Sequence, residues 1–304
     1  MTSTLPEIVA RLPHTPGVYR FRDARNRVLY IGRAARLRRR VASYWGDLRD
    51  RRHLAPMVAR TARVEAVACD SEHEAAWLER NLLEHTLPGW NRTRGGQEVP
   101  VYICLDGSPV APGLRVVRTV PAAADARHFG PYLGGEKVRL AVAALHRVLP
   151  LAYAGSGLSG SERDMAAKRG VGVRDRDALI EALTAVLERD RAAAAAVRGE
   201  LAARRERAAK VLAFELAARL QAEIHAVDWI TSPQRVTRAE PSDFEVFGWA
   251  GGVLVRFQVR AGRLCTWTQR ACTQVNAVRH LATTPAPWAD FAQRNAELAA
   301  RLAR

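Results

Sequence analysis

Two tyrosine tripeptides, Gly17-Val18-Tyr19 and Tyr30-Ile31-Gly32, lie ten residues apart near the start of the 304-residue chain, and they constrain its local fold more than any other feature. Between them, Asp23-Ala24-Arg25-Asn26-Arg27 supplies polar turn residues, so the flanking apolar runs predict two short strands, 18–21 and 28–31, joined as a hairpin. Tyr19 and Tyr30 then stand on neighbouring strands, and Gly32 ends the second. Residues 34–45 contain no Pro or Gly and are rich in Leu, Val, Ala and Arg, which favours a helix. At about 100° per residue, Arg33, Arg40 and Tyr44 fall on one face, with Arg36 at its edge. A second helix is expected over 72–86, with Ser71 as N-cap and Glu74 as its capping-box partner. Leu78, Leu82 and His85 give that helix a face, Glu79 lies next to it, and Pro88 closes it just before Asn91.

Taken together, the two tripeptides, Arg40 ten residues after Tyr30, Tyr44, Glu79 and Asn91 resemble the GIY-YIG nuclease domain, in the form found at the N-terminus of the bacterial excinuclease UvrC. The likeness extends to Pro16-Gly17-Val18-Tyr19, Leu29-Tyr30-Ile31-Gly32-Arg33-Ala34, Leu78-Glu79-Arg80-Asn81-Leu82 and Pro88-Gly89-Trp90-Asn91. It implies phosphodiester cleavage, which needs an activated water, stabilised charge on the nonbridging oxygens and help for the leaving oxygen. By the resemblance, Glu79 would hold one divalent cation, Mg²⁺ or Mn²⁺, largely through waters. Arg40 would face the scissile phosphate with its planar donor fork. One of Tyr19 and Tyr30 would orient or deprotonate the water, a role that needs nearby positive charge because an unperturbed phenol has a pKa of about 10. Tyr30 is favoured as base with Tyr19 supporting it, an order the residues leave open. Tyr44 and Asn91 are assigned to phosphate and active-site hydrogen bonding. Where relatives commonly carry a lysine directly after Tyr-Ile-Gly, this chain has Arg33, which keeps the charge but not the compact ammonium.

The 47 Lys and Arg against 31 Asp and Glu give a net charge of +16, which suits a polyanionic partner. Because lysine occurs only at Lys137, Lys168 and Lys210 and alanine is abundant, a compositional bias is a competing explanation of that charge, which supports nucleic-acid binding only weakly. The cluster Arg33, Arg36, Arg38, Arg39 and Arg40 is the stronger sign of DNA binding, since it adjoins the expected site and such contacts hold a backbone without reading bases. The N-terminus shows no run suited to a signal peptide and no stretch suits a membrane span, so a cytoplasmic protein without a membrane partner is expected. Cys69, Cys104, Cys265 and Cys272 are too scattered for a disulfide framework or a zinc site; Cys265 and Cys272, six residues apart, could face each other across a hairpin, but buried or incidental thiols are the preferred reading. The four clustered cysteines of many relatives have no counterpart here, so no iron-sulfur cluster is expected.

An α+β architecture follows, in four expected segments. Residues 1–105 form the nuclease domain, a small antiparallel sheet flanked by helices. Residues 106–176 are a connecting region, in which His128-Phe129-Gly130-Pro131-Tyr132 reads as a turn leading into an amphipathic helix with Val138, Val142, Leu145 and Leu149 on its buried stripe, and 155–161 reads as a flexible linker. Residues 177–232 are helical, and the run from Leu212 to Leu220 with Ile224 resembles the UVR motif that docks UvrC onto its excinuclease partner UvrB. Phe214, Leu220 and Ile224 would anchor that contact. Residues 233–304 are a small truncated α+β domain, in which strands over 244–247, 253–259 and 264–268 form an antiparallel sheet followed by a helical segment, similar to the opening hairpins of a ribonuclease H-like domain but without its gathered carboxylates. The resemblance therefore implies a short homologue with one cutting centre, making the incision 3′ of damage. The alternatives are a noncatalytic DNA-binding adaptor and an independent nuclease on branched or foreign DNA.

Overall fold

The computed structural model, which describes residues 4–46, 49–95, 98–120, 126–238 and 240–303, contains the expected hairpin. After a short helix α1 (Leu5–Ala10), strand β1 (Gly17–Arg22) pairs antiparallel with β2 (Val28–Ala34). Asp23 holds the turn by accepting main-chain hydrogen bonds from Arg25 and Arg27, and Asn26 adopts the left-handed conformation (φ 62°) that asparagine tolerates better than most residues. The second strand runs three residues past the expected end, to Ala34, because its main chain keeps pairing as far as Gly17. Helix α2 consequently starts only at Leu37 and ends at Ala42, and Arg33 belongs to β2 rather than to the helix. Helix α3 (Ala55–Arg60) leads into β3 (Arg63–Ala68), which pairs with the other edge of β1, giving the order β2-β1-β3. Helix α4 (Glu72–His85) follows. Ser71 caps it as expected, accepting from the Glu74 amide at 2.9 Å, but the Glu74 carboxylate reaches past Ser71 to the Asp70 amide at 2.7 Å.

The chain divides into two compact units, Met1–Gln97 with Pro233–Arg304, and Glu98–Ser232. In the second, β4 (Val101–Asp106), β5 (Gly113–Val117) and β6 (Arg127–Tyr132) form a sheet of order β5-β4-β6. The residues read as a turn at 128–132 are thus a strand. Helices α5 (Gly135–Val148), α6 (Gly160–Arg169), α7 (Arg176–Leu187), α8 (Arg191–Lys210) and α9 (Phe214–Thr231) complete the unit. Val138, Val142 and Leu145 of α5 are buried in its core as the periodicity predicts, while Leu149 caps the helix and is only half-buried. The expected linker is not free. The amides of Ser156 and Gly157 donate to the carbonyls of Pro109 and Val110, both at 2.9 Å, and a Cβ on Gly155 would lie 2.4 Å from the Val110 carbonyl oxygen. Its glycine is there for close approach rather than for looseness.

After Pro233 the chain forms the antiparallel meander β7 (Phe244–Ala250), β8 (Val253–Arg260) and β9 (Arg263–Ala271), then α10 (Gln274–Leu281) and α11 (Ala289–Ala303). Cys265 lies within β9 and Cys272 directly after it, so the two do not face across a hairpin, and all four cysteines are free, buried or half-buried thiols. This terminal segment shares a core with the first sheet. Leu298 and Leu302 of α11 join Tyr19, Phe21, Val64 and Ala66. Asn295 accepts from the Ala68 amide at 2.7 Å and donates to its carbonyl at 3.2 Å, which occupies polar groups that an edge strand would otherwise expose. On α4, Asn81 donates to the Val236 carbonyl and the Thr237 hydroxyl. No described helix is long and apolar enough to cross a membrane.

Candidate active site

Strand alternation sends Gly17, Tyr19 and Phe21 of β1 to one face of the first sheet, and the register sets Gly32 opposite Tyr19 and Tyr30 opposite Phe21. On that face Tyr19, Tyr30 and Tyr44 form a cluster with ring centroids 5.8–6.3 Å apart. The Tyr19 and Tyr44 hydroxyls share a hydrogen bond of 2.7 Å. The glycines of both tripeptides are required by packing. A Cβ on Gly32 would sit 2.6 Å from the Tyr19 hydroxyl and 2.8 Å from the Tyr30 ring, and one on Gly17 would sit 2.3 Å from the Val67 carbonyl oxygen and 2.6 Å from Leu37. The sequence showed Gly32 only as a strand end. Its function is to let a phenol cross its Cα.

Helix α2 brings Arg40 to the cluster. Its Nε lies 3.4 Å from the Tyr19 hydroxyl, which it can donate to, and its guanidinium lies over the Tyr44 ring at 5.3 Å. Tyr19 is fully buried and its phenol is held well above the ordinary value, first by burial and then by Tyr44 and Tyr30, with Arg40 opposing. Tyr30 is half-buried, and its phenol is likewise pushed up by burial, by Tyr44 and by the carboxylate of Glu79, again against Arg40. Burial alone would lower the Arg40 guanidinium, but Tyr19, Tyr44 and Tyr30 together leave it raised. The two phenols and the guanidinium therefore act on one another, and Tyr30 also feels Glu79.

Glu79, on α4, reaches the edge of β2. One carboxylate oxygen accepts from the Arg33 amide at 3.2 Å, and the other lies 3.3 Å from the Arg33 Nε. Arg33, Arg36, Arg39, Arg40 and Ser43 line an open depression of about 440 Å³. Ser43, which no sequence signal marked, borders it while its hydroxyl donates to the Arg40 carbonyl at 2.7 Å. Arg38 does not share this wall. Its Nε donates to the Leu12 carbonyl at 2.7 Å, so this member of the expected DNA-contacting group is turned to the main chain instead. Asn91 hydrogen-bonds the main chain of the second tripeptide. Its amide accepts from the Ile31 amide at 3.0 Å and donates to the Ile31 carbonyl at 2.8 Å, extending the ladder at the β2 edge and fixing the strand between Tyr30 and Gly32. Among the described residues, no group of three or more His, Cys, Asp and Glu is placed to hold a metal.

Residues 15–92 match the family described as the UvrC-like GIY-YIG domain. This segment is a UvrC-like GIY-YIG domain. Beyond it, the chain is similar to UvrABC system protein C of Symbiobacterium thermophilum, 32% identical over 285 residues that cover 86% of this chain and 43% of the relative. UvrABC system protein C of Moorella thermoacetica is 31% identical over 254 residues, covering 81% of this chain and 41% of the relative. The chain thus spans less than half the length of these relatives. The solved GIY-YIG endonuclease domain of UvrC from Thermotoga maritima bound to magnesium is 29% identical, with a TM-score of 0.27, and covers 30% of this chain and 100% of that one.

The expected partner anchors divide sharply. Phe214 is 65% exposed at the start of α9, but Leu220 is 2% and Ile224 9% exposed, both within the core of the second unit. These two residues are committed to packing against their own unit and do not form a free docking face. Around Phe214 the exposed apolar residues are Val211 and Leu212 at the α8–α9 turn and Leu216 in the first turn of α9.

Proposed function

We propose that this chain is a metal-dependent DNA endonuclease that makes a single incision 3′ of a lesion during nucleotide excision repair, after recruitment by the excinuclease component UvrB. The observation that carries this reading is that the Tyr30 phenol lies within electrostatic reach of both Arg40 and Glu79, while Arg40 and the Glu79-bound Arg33 line one arginine-rich depression. A phosphate backbone laid in that depression would meet Arg36 and Arg39 as positioning charges and Arg40 as the donor fork at the scissile phosphate. Tyr30 is the more exposed of the two signature phenols, which favours it as the group that takes the proton of the attacking water, with Tyr19 and Tyr44 holding Arg40 and the ring stack in place. Burial pushes that phenol further above its ordinary value, and Arg40 alone does not reverse this. A divalent cation, Mg²⁺ or Mn²⁺, held at Glu79 would supply the missing positive charge and polarise the leaving side of the phosphate. One carboxylate with solvent on its outer side suits a cation that keeps most of its own waters.

The test is a lesion-bearing duplex incubated with UvrB and Mg²⁺. A discrete nick on the 3′ side is expected, lowered at least about a thousandfold in Glu79→Gln and Arg40→Ala while both variants keep the wild-type far-UV spectrum. Wild-type cutting in either variant sinks the site assignment, and a gel-shifted complex without a nick in the wild type points to an adaptor instead. The exposed turn residues support a docking role for the α8–α9 tip. Phe214→Ala is expected to weaken capture of UvrB about tenfold without altering metal binding, and undiminished capture removes that part of the proposal.

A further inference from the structure

Both oxygens of the Glu79 carboxylate are engaged by one residue, Oε1 by the main-chain amide of Arg33 at 3.2 Å and Oε2 beside its guanidinium Nε at 3.3 Å. The two contacts differ in kind. The amide is fixed by the pairing of β2 with β1, so it remains where it is whatever occupies the site. The guanidinium stands on a flexible stem, its side chain 38% exposed against 22% for Glu79, so water competes for the pair at little cost. It also lines the same depression as Arg36, Arg39 and Arg40, which gives it a second place to go.

We propose that the Arg33 guanidinium is a displaceable clamp on Glu79: it holds the carboxylate in place while no cation is bound, and cation binding releases it into the arginine-lined depression where substrate phosphate would lie. This rests on the reading of Glu79 as the metal-holding residue. The physical basis is competition. A divalent cation and a guanidinium drawn to the same carboxylate oxygen repel each other as like charges, so binding of the one weakens the hold of the other. The clamp therefore lowers cation affinity by the strength of the half-exposed pair, and by reciprocity the cation weakens the clamp by the same factor. Release adds a cationic fork to the phosphate-binding wall only when the cation is present, so the two charges that a cleavage site needs are assembled together. The main-chain amide meanwhile keeps Oε1 oriented in both states, so Glu79 does not have to be repositioned.

The experiment measures Mn²⁺ binding to the full chain by electron paramagnetic resonance, without DNA. Arg33→Gln is expected to bind Mn²⁺ about three- to tenfold more tightly than wild type, while Arg36→Gln and Arg39→Gln, which remove equal charge from the same depression but do not touch Glu79, change the affinity less than about twofold. Equal or weaker binding in Arg33→Gln overturns the clamp, as does an equal gain in all three variants, which would reduce the effect to general electrostatics. A second readout is the ¹⁵Nε–Hε resonance of Arg33, assigned by its loss in Arg33→Gln. Saturating Mg²⁺ is expected to move it in wild type but not in Glu79→Gln, and an unmoved wild-type resonance at saturation also refutes release. Glu79→Gln separates the two claims. If it binds Mn²⁺ as tightly as wild type, the metal assignment itself fails. If it loses binding while Arg33→Gln gains none, only the clamp fails.

Discussion

Two arginine–glutamate pairs stand on the same face of the first sheet and share their chemistry, yet their surroundings give them different work. Register and alternation place Val18, Arg20, Ile31 and Arg33 together on that face. Arg20 pairs with Glu65 of β3 where both side chains are under a tenth exposed, its guanidinium lies 3.7 Å over the Trp267 ring, and its Nη1 donates to the Trp267 carbonyl at 2.9 Å. Arg22 and Arg63 also reach Glu65, at 2.9 and 3.2 Å. Arg33 and Glu79, at the rim of the sheet, remain within reach of solvent. Removing one partner from the inner pair leaves a charge with no water to turn to, whereas the outer pair opens at little cost. The first therefore fixes the terminal meander against the sheet, and the second is free to exchange partners.

The largest expected effect breaks the inner pair. Glu65→Gln leaves Arg20 buried without its counter-charge, so unfolding in urea should show a loss of about 3–5 kcal/mol. Glu79→Gln should change stability by no more than about 1 kcal/mol while abolishing activity. Equal stability losses in the two variants would erase the contrast.

A second prediction uses the opposite face. Gly32→Ala puts a Cβ where the Tyr19 hydroxyl now lies, so the phenol must move and drag the Arg40 contact with it. A shift of that size should cost about a hundredfold in nicking with little change in metal affinity, and an undisturbed rate would show that the phenol stack does not set the geometry.

The smallest effect is in pH dependence. Burial would raise the Glu65 carboxyl, but Arg20, Arg22 and Arg63 outweigh it and hold it below the ordinary carboxylate value. A carboxyl depressed in the folded state contributes stability above its unfolded pKa and loses it as pH falls through the folded one. The wild-type advantage over Glu65→Gln should therefore be complete at neutral pH and shrink below about pH 4, as read from urea midpoints across the acid range. A gap that stays constant down to about pH 3 would mean that Glu65 does not carry the effect.

The tyrosine hairpin and the helix bearing Glu79 were legible because their signals are local: a polar turn between apolar runs, and a serine cap followed by periodic leucines. The start of α2 was not, since Ala34 and Ala35 are good helix formers and only pairing with Gly17 keeps Ala34 in the strand. β4 and β5 went unanticipated because short apolar runs do not reveal whether a partner strand exists to receive them. The seam of α9 was read as a docking face for the same reason. Periodicity shows that Leu220 and Ile224 are to be buried, but not against which surface.

By itself the sequence determined the chemical inventory and its local geometry: two phenols on paired strands, an arginine cluster directly after them, and one carboxylate on a capped helix. Tertiary structure alone decided which of those groups meet. It turned Arg38 to Leu12, spent Asn91 on the Ile31 main chain, seated Arg33 across Glu79, and brought Asn295 from the far end of the chain to the edge of β3. Spacing along a chain fixes direction within one element, whereas contact between elements depends on which buried polar groups and apolar faces can be satisfied at once.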